Sequence, residues 1–289
     1  MTEVEEITIR RDDGVRLCTQ AFGDRHDPAI VLIGGATWSM DWWEDEFCHR
    51  IVRRGRRVVR YDQRDTGRST SYPQGTPGYT SHDLVDDVVA VLDGLGIDRA
   101  HVVGLSMGGG VAQRLAGSHP DRVATVTLMS TSPVDPMIEG LPGPTPEIQA
   151  TFSADAPEPD WHDRDAVVDY LIEGERPYAG PGNFDEAKLR GLAGHVFDRT
   201  NDMAACLTNH FILAGGDAED EPRSPDIAVP ALILHGTADP LFPLEHGRAL
   251  ESSIPGARLV ELEDVGHQLP PERYWDEVVD ALIEHTEPD

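Results

Sequence analysis

The segment Gly104-Leu-Ser-Met-Gly108 has the GxSxG spacing of a nucleophile motif. It follows the apolar run at 100–103 and precedes a stretch that we expect to be helical. A serine in such a strand-to-helix turn sits in a strained conformation, and glycines two residues away on each side leave room for the backbone. The free amides at the start of the helix point toward developing negative charge. The motif and its context predict that Ser106 is a nucleophile.

A serine hydroxyl needs a base within hydrogen-bond reach, and the base needs a partner that orients it. We predict His267 as the base and Asp239 as the acid, since each follows a predicted strand at the sheet edge that carries Ser106. The chain order Ser, Asp, His is also that of the hydrolase elbow arrangement. His235 remains an alternative base and Asp135 an alternative acid. Alanine substitution separates them, because only the true partners should cost orders of magnitude in turnover.

Hydrolysis by a serine also requires two donors for the oxyanion. One is expected from the amide that follows the nucleophile, Met107, and the other from the loop after an earlier strand. That loop contains Gly34-Gly35-Ala36, so the sequence predicts the Ala36 amide as the second donor. The alternative interpretation is that the two glycines form an ordinary turn.

The elements that would position these residues alternate between strand and helix. An antiparallel hairpin is predicted at 5–10 and 16–22, around the turn at Asp12-Asp13-Gly14. The fold class is therefore α/β, with a doubly wound, mostly parallel sheet. The predicted strands are 29–33, 57–61, 100–103, 123–129, 231–234 and 258–262, and the main helices are 81–96, with Ser81 as N-cap, 107–118 and 274–283.

The rhythm changes between residues 133 and 230, where proline-rich loops separate helical stretches such as 163–174 and 204–213. We predict that 1–132 and 231–289 form the core domain. Residues 133–230 are then a helical lid inserted over the edge of the sheet where ligands bind. The alternative is an independent helical domain.

Several segments together resemble a known superfamily: Gly34-Gly35, Tyr61-Asp-Gln-Arg-Asp-Thr-Gly-Arg-Ser69, Gly104-Leu-Ser-Met-Gly108, His235-Gly-Thr-Ala-Asp239-Pro240 and Gly266-His267. They resemble the α/β-hydrolases along nearly the whole chain outside the lid. Within that superfamily, the segment at 61–69 and the Gly-Gly in place of His-Gly are similar to the aclacinomycin methylesterases, which remove a methyl ester from an anthracycline polyketide. The resemblance implies a carboxylesterase or methylesterase that forms an acyl-enzyme on Ser106.

The same resemblance narrows the chemistry. Haloalkane dehalogenases and epoxide hydrolases carry an aspartate at the elbow, whereas this chain has Ser106, which leaves acyl transfer. No metal or organic cofactor is expected. Carbon-carbon bond hydrolysis and cofactor-free perhydrolysis use the same triad and stay open as alternatives. A non-catalytic ligand-binding protein on a hydrolase fold is the alternative of another class.

Aromatic residues in the lid and after the Gly-Gly loop could form the walls of an apolar pocket. We predict that Gly35, Trp38 and Phe211 contact a mid-sized apolar ester. The charged segment at 62–68 is interpreted as a structural network rather than as catalytic groups.

The composition bounds the partners and the compartment. The 289 residues carry 52 acidic and 24 Lys or Arg side chains, for a formal net charge of −28. A polyanion needs a basic surface, so nucleic acid is not an expected partner. The three cysteines have no metal or disulfide spacing, and no run is long enough to span a membrane, so we expect a cytoplasmic protein. A monomer or homodimer is expected. Adaptation to high salt is a further hypothesis, which stability measured against KCl concentration would test.

Overall fold

The computed structural model of the chain describes residues 4–135, 138–153, 157–214 and 227–287. Its centre is one sheet of eight strands in the order β1-β2-β4-β3-β5-β6-β7-β8. The strands are β1 (Glu6–Arg10), β2 (Arg16–Phe22), β3 (Ala29–Ile33), β4 (Arg57–Tyr61), β5 (Ala100–Leu105), β6 (Val123–Met129), β7 (Ala231–Gly236) and β8 (Arg258–Leu262).

The sheet is mostly parallel, as predicted. Strands β1 and β2 pair antiparallel as the expected hairpin, β2 also pairs antiparallel with β4, and every pairing from β4 to β8 is parallel. All residues of β3 and β7 are buried. Burial of whole strands is typical of parallel sheets that helices cover on both faces.

Two hydrophobic clusters lie on opposite faces of this sheet. Helices α2 (Ser81–Gly94) and α3 (Met107–Ser118), with α8 (Glu245–Ser253), pack on one face. Helices α1 (Asp45–Val52) and α9 (Trp275–His285) pack on the other. Because helices cover both faces, the sheet is doubly wound. One boundary differs from the prediction: the N-cap of α2 is Thr80, which forms a capping box with Asp83, rather than Ser81.

Between β6 and β7 the chain forms α4 (Pro146–Ser153), α5 (Arg164–Glu175), a 3-10 turn at Arg176–Tyr178, α6 (Glu186–Arg199) and α7 (Met203–Ala214). The side chains of Asp163 and Asp185 cap α5 and α6. No strand occurs in this segment among its described residues. The segment is thus an inserted helical lid, and its limits at 133 and 230 stay a prediction.

Helix α6 is joined to the core by a buried ion cluster. The Arg199 guanidinium lies 2.6 Å from an Asp62 carboxylate oxygen and 2.9 Å from Asp41. Asp62 follows β4 and also accepts hydrogen bonds from the amides of Met40 and Arg68. All three charged side chains are at most 5% exposed. Burial would raise the pKa of Asp41, but its bonds from His195 and Arg199 lower it to about 2.

Helix α7 is joined to the core by two uncharged side chains of the helix, His210 and Asn209. The Thr37 amide donates to His210 Nδ1 at 2.9 Å, and His210 Nε2 lies 2.8 Å from the Arg64 carbonyl oxygen. Because Nδ1 accepts, Nε2 carries the proton and donates. The Asn209 side-chain amide donates to Asp65 at 3.0 Å. We call Arg199, Asn209, His210 and these partners the polar anchor of the lid.

Among the described residues, no helix is long and apolar enough to cross a membrane. The three cysteines, Cys18, Cys48 and Cys206, are free and buried.

Candidate active site

Ser106 occupies the turn between β5 and α3 with backbone angles φ +53° and ψ −119°. Such a left-handed conformation is strained for a residue with a side chain. The flanking glycines are required by close approach, since a Cβ at Gly104 would overlap the Gly108 carbonyl. A Cβ at Gly108 would overlap the carbonyls of Ile33 and Gly34, at the end of β3. The spacing of the motif is therefore a packing requirement of the turn.

Three predicted side chains meet at the carboxyl edge of the sheet. Ser106 Oγ lies 2.9 Å from His267 Nε2, and His267 Nδ1 lies 2.9 Å from Asp239 Oδ2. Asp239 follows β7 and His267 follows β8, so residues far apart in sequence reach the same edge as the β5 turn. With the imidazole neutral, Nδ1 donates a hydrogen bond to the carboxylate and Nε2 accepts one from the serine hydroxyl.

The surroundings of Asp239 favour its charged form. Its second carboxylate oxygen accepts the amides of Leu241 and Phe242, each at 2.9 Å. Burial acts to raise the pKa of Asp239, but the charge and hydrogen bond of His267 outweigh it and leave the pKa below its usual value. An ionised Asp239 can hold the imidazole in one tautomer and stabilise an imidazolium.

The structure separates these residues from the alternatives raised by the sequence. His235 is fully buried, with Nε2 2.7 Å from the Phe242 carbonyl oxygen, and its closest approach to Asp239 is 3.9 Å. The hydroxyl of Ser106 contacts His267, not His235. The carboxylate that contacts His267 Nδ1 is Asp239, and Asp135 has no part in that bond.

The Gly-Gly loop lies beside the serine. A Cβ placed on Gly35 would be 3.5 Å from the Ser106 Cβ, and the Gln63 side chain donates to the Gly34 carbonyl at 3.0 Å. Within the described part of the chain, neither the Ala36 amide nor the Met107 amide donates a hydrogen bond to a protein group. The oxyanion role of these two amides stays a prediction.

A cavity of about 370 Å³ opens between the lid and the core next to His267, whose neighbour Gln268 forms part of its wall. Trp38 and Trp42 also line it, with stacked rings 4.9 Å apart. Ser106 is not on this wall, so the cavity adjoins the reacting groups rather than containing them. Its volume is in the range of small-molecule sites.

The prediction for Phe211 does not match its position. Its side chain is 57% exposed and is not on the cavity wall. On α7 it follows Asn209 and His210, which are fully buried, so the helical rotation turns Phe211 toward solvent. Trp38, in contrast, lines the cavity, and Gly35 lies against Ser106.

The sequence analysis missed Glu175, the last residue of α5, which also lines the cavity. Burial raises the pKa of Glu175 to about 7, opposed in part by the charge of His267. Nothing in the local pattern distinguishes this glutamate from Glu173 on the same helix. Its significance comes from the way the lid folds back on the core.

The lid is also bonded to the loop that carries His267. The His267 amide donates to the Tyr178 carbonyl at 2.8 Å, and the Gly180 amide donates to the Gln268 side chain at 3.2 Å. The Tyr178 ring is 5.9 Å from the imidazole, centroid to centroid. The 3-10 turn after α5 therefore fixes Glu175 near the imidazole.

The doubly wound sheet and the serine, histidine and aspartate at its carboxyl edge define a serine hydrolase fold. The α/β hydrolase fold family matches residues 28–167, and a family described as TAP-like protein matches residues 198–288. The chain is 34% identical over 282 residues to rhodomycin D methylesterase DnrP of Streptomyces peucetius, covering 90% of this chain and 91% of that protein. The chain belongs to the α/β-hydrolase family and is a carboxylic ester hydrolase.

Solved structures agree with this assignment. The enol-lactonase of Burkholderia xenovorans LB400 is 29% identical, with a TM-score of 0.71 over 94% of this chain and 96% of that one. The 2-hydroxy-6-oxo-6-phenylhexa-2,4-dienoate hydrolase of Rhodococcus sp. strain RHA1 has a TM-score of 0.73 over 98% of this chain and 99% of that one, at 23% identity. The second likeness concerns the fold alone.

Proposed function

We propose that the protein hydrolyses a carboxylic methyl ester through an acyl-enzyme on Ser106, with His267 as general base and Asp239 as its orienting acid. The observation that carries this proposal is the chain of two 2.9 Å contacts from Ser106 through His267 to Asp239. Such an arrangement lets the imidazole take the serine proton at the moment of attack.

In the first step the Ser106 oxygen forms a bond to the ester carbonyl carbon while its proton moves to His267 Nε2. The carbonyl electron pair moves onto oxygen, where the amides of Ala36 and Met107 donate to it. When this oxyanion collapses, the bond to the alcohol oxygen breaks and the alcohol leaves with the proton from His267. The acyl group remains on Ser106.

In the second step a water molecule gives its proton to His267 and attacks the acyl carbon. A second oxyanion forms at the same amides and collapses, so that the acid leaves and Ser106 regains its proton from His267. Asp239 stays ionised throughout, which agrees with the lowering of its pKa.

The choice of a methyl ester rests on the similarity to rhodomycin D methylesterase, which extends along 90% of this chain. The apolar part of the cavity wall, including Trp38 and Trp42, supports an apolar acyl portion. Gly35 contributes a small surface beside Ser106 that leaves room for the ester.

The surroundings of the protein are also part of the proposal. Three free, buried cysteines favour a reducing compartment, the cytoplasm. The net charge of −28 opposes binding to nucleic acid, and a monomer or homodimer remains the expected state. Salt adaptation stays a hypothesis.

The test combines a fluorophosphonate probe with a panel of methyl esters of apolar acids. The wild type should be labelled on Ser106 and should release methanol. Ser106→Ala and His267→Ala should each lower turnover by roughly 10⁴-fold or more. Ser118→Ala, at the exposed end of α3, is the matched control and should change neither readout.

Labelling and methanol release that persist in Ser106→Ala would overturn the proposal. Cleavage of a vinylogous diketone without methyl ester hydrolysis would instead assign the site to carbon-carbon bond hydrolysis.

A further inference from the structure

The cavity next to His267 contains one carboxylate whose presence the fold does not explain. Four acidic residues line the cavity, Glu44, Asp185, Glu272 and Glu175. The first three have structural partners on the protein. Glu175 has none, and this difference points to a role in binding.

The partners of the other three are specific. Glu44 lies 2.8 Å from Lys188 Nζ, and Glu272 lies 2.8 Å from Arg50. Asp185 accepts the Lys188 amide at 3.0 Å and so caps α6.

Glu175 makes neither an ion pair nor a hydrogen bond with any residue that the structure describes, and its charge interacts at longer range with His267 and Tyr178. Its position adds a second cost, because it is the last residue of α5, where the helix dipole disfavours a negative charge. A half-buried carboxylate without a donor is unfavourable. Local rules broken in this way are expected at functional positions.

The remaining cations on the wall do not compensate Glu175. Lys188 is paired with Glu44 and also stands 4.8 Å from the centroid of the Trp275 ring. Arg273 is exposed, with its guanidinium 4.9 Å over Tyr274. The cavity thus has a carboxylate available to a ligand.

The same wall contains the stacked pair Trp38 and Trp42. Indole faces attract cations, and a carboxylate beside aromatic rings is a combination that recognises an organic ammonium group. The walls are otherwise partly apolar, through residues such as Leu192 and Leu269. They therefore suit a cation attached to an apolar body.

We propose that Glu175 is a specificity-determining residue: its carboxylate binds an ammonium group of the substrate, so that the site prefers amine-bearing esters to neutral esters of the same shape. This inference rests on the proposed ester hydrolysis at Ser106 and names its substrate class. The ammonium group then binds in the cavity that adjoins His267, while the ester carbonyl binds at Ser106.

The test uses two isosteric probes, methyl para-(dimethylaminomethyl)phenylacetate and methyl para-isobutylphenylacetate. Dissociation constants are measured at pH 8 in the Ser106→Ala background. The amine should bind at least about 10-fold more tightly than the isostere, which corresponds to about 1.4 kcal/mol. Glu175→Gln should reduce this ratio to about one, and Glu175→Asp should restore part of it. Glu173→Gln, two residues earlier on α5 and exposed, should leave it unchanged.

Turnover gives a second readout in enzyme with Ser106 intact. The ratio of kcat/KM for the two esters should fall by the same factor in Glu175→Gln, while fluorophosphonate labelling of Ser106 persists. Equal binding of both probes by the parent protein, or a preference that survives Glu175→Gln, would overturn the inference. Absence of fluorophosphonate labelling in the wild type would overturn the proposed ester hydrolysis instead. Failure of the amine preference and failure of the proposed function are therefore distinguishable.

Discussion

The two halves of the lid meet the core in opposite ways. Helices α6 and α7 meet it through the polar anchor, where Arg199, Asn209 and His210 have partners on the segments around Asp41 and Asp62. The end of α5 meets it across a cavity, where Glu175 has no partner among the described residues. One half, the polar anchor, is closed by satisfied polar groups. The other, the cavity half, which the start of α6 also lines, leaves space and an unused charge.

This contrast predicts that mutations in the two halves have different effects on stability and on substrate selectivity. Buried charges are tolerated only when they are paired, and removing one partner leaves the other uncompensated. The polar anchor should therefore respond to mutation with a loss of stability. The cavity half carries an electrostatic cost in the empty protein, so substitution there should raise stability and change substrate preference.

The largest effect should come from the ion cluster of the polar anchor. Arg199→Ala leaves Asp62 and Asp41 buried without their cation, and we expect it to lower the free energy of unfolding in urea by about 3–5 kcal/mol. Arg190→Ala, on the same helix, removes only exposed pairs with Asp169 and Glu186 and should have no measurable effect. Equal free energies of unfolding for Arg199→Ala and Arg190→Ala would contradict the distinction between the two halves of the lid.

A smaller loss is expected at the second part of the polar anchor. His210→Ala removes the acceptor of the Thr37 amide and should lower the free energy of unfolding by about 1–3 kcal/mol. Because Ala36 adjoins Thr37, kcat should fall more than KM changes. His162→Ala, exposed in the lid, is the control. A His210→Ala variant with wild-type kcat would show that the bond from His210 to the Thr37 amide does not position the Ala36 amide for catalysis.

The pH dependence of that loss has a defined sign. Burial lowers the pKa of His210 below its ordinary value of 6.5, so the unfolded chain takes up a proton that the folded chain does not. The stability contributed by His210 is therefore present above pH 6.5 and decreases as the pH falls. The difference between wild type and His210→Ala should shrink in the same direction.

The smallest effect, of opposite sign, should come from the cavity half. The pKa of Glu175 rises from 4.5 to about 7 on folding, so its ionisation destabilises the folded state increasingly between these values and fully above pH 7. Glu175→Gln should raise the free energy of unfolding at pH 8 by about 1 kcal/mol, since the partial burial limits the cost. At pH 4 the two proteins should be equally stable. Destabilisation by Glu175→Gln at pH 8 would mean that the carboxylate has a structural partner.

The sequence was most informative where the backbone itself imposes the residue type. Apolar runs and the alternation of strands with helices predicted the parallel strands β3 to β8, and the hairpin at Asp12-Asp13-Gly14 was confirmed. The GxSxG motif located Ser106, because its glycines are required by close backbone contacts, of Gly104 with Gly108 and of Gly108 with the end of β3. Periodicity inside the lid predicted α5 and α7 to within a residue or two of their ends.

The sequence was least informative about contacts between the lid and the core. Arg199 and His210 lie more than a hundred residues from Asp62 and Thr37, and their types are common on helix surfaces. Phe211 was predicted to contact the substrate from its type alone, whereas the burial of His210 next to it turns α7 the other way. Glu175 is identified only by the absence of a partner in the described structure, which no local pattern encodes.

The bond from the His267 amide to the Tyr178 carbonyl has a consequence for how substrate enters. Outward movement of the turn after α5 would break this bond and remove a support of the loop that holds the imidazole. We therefore expect substrate to enter through rearrangement of side chains at the rim of the cavity, with this backbone contact kept. The turn that covers the cavity and the loop that carries the general base thus share one hydrogen bond, so we expect the catalytic geometry to be best maintained when the lid is closed.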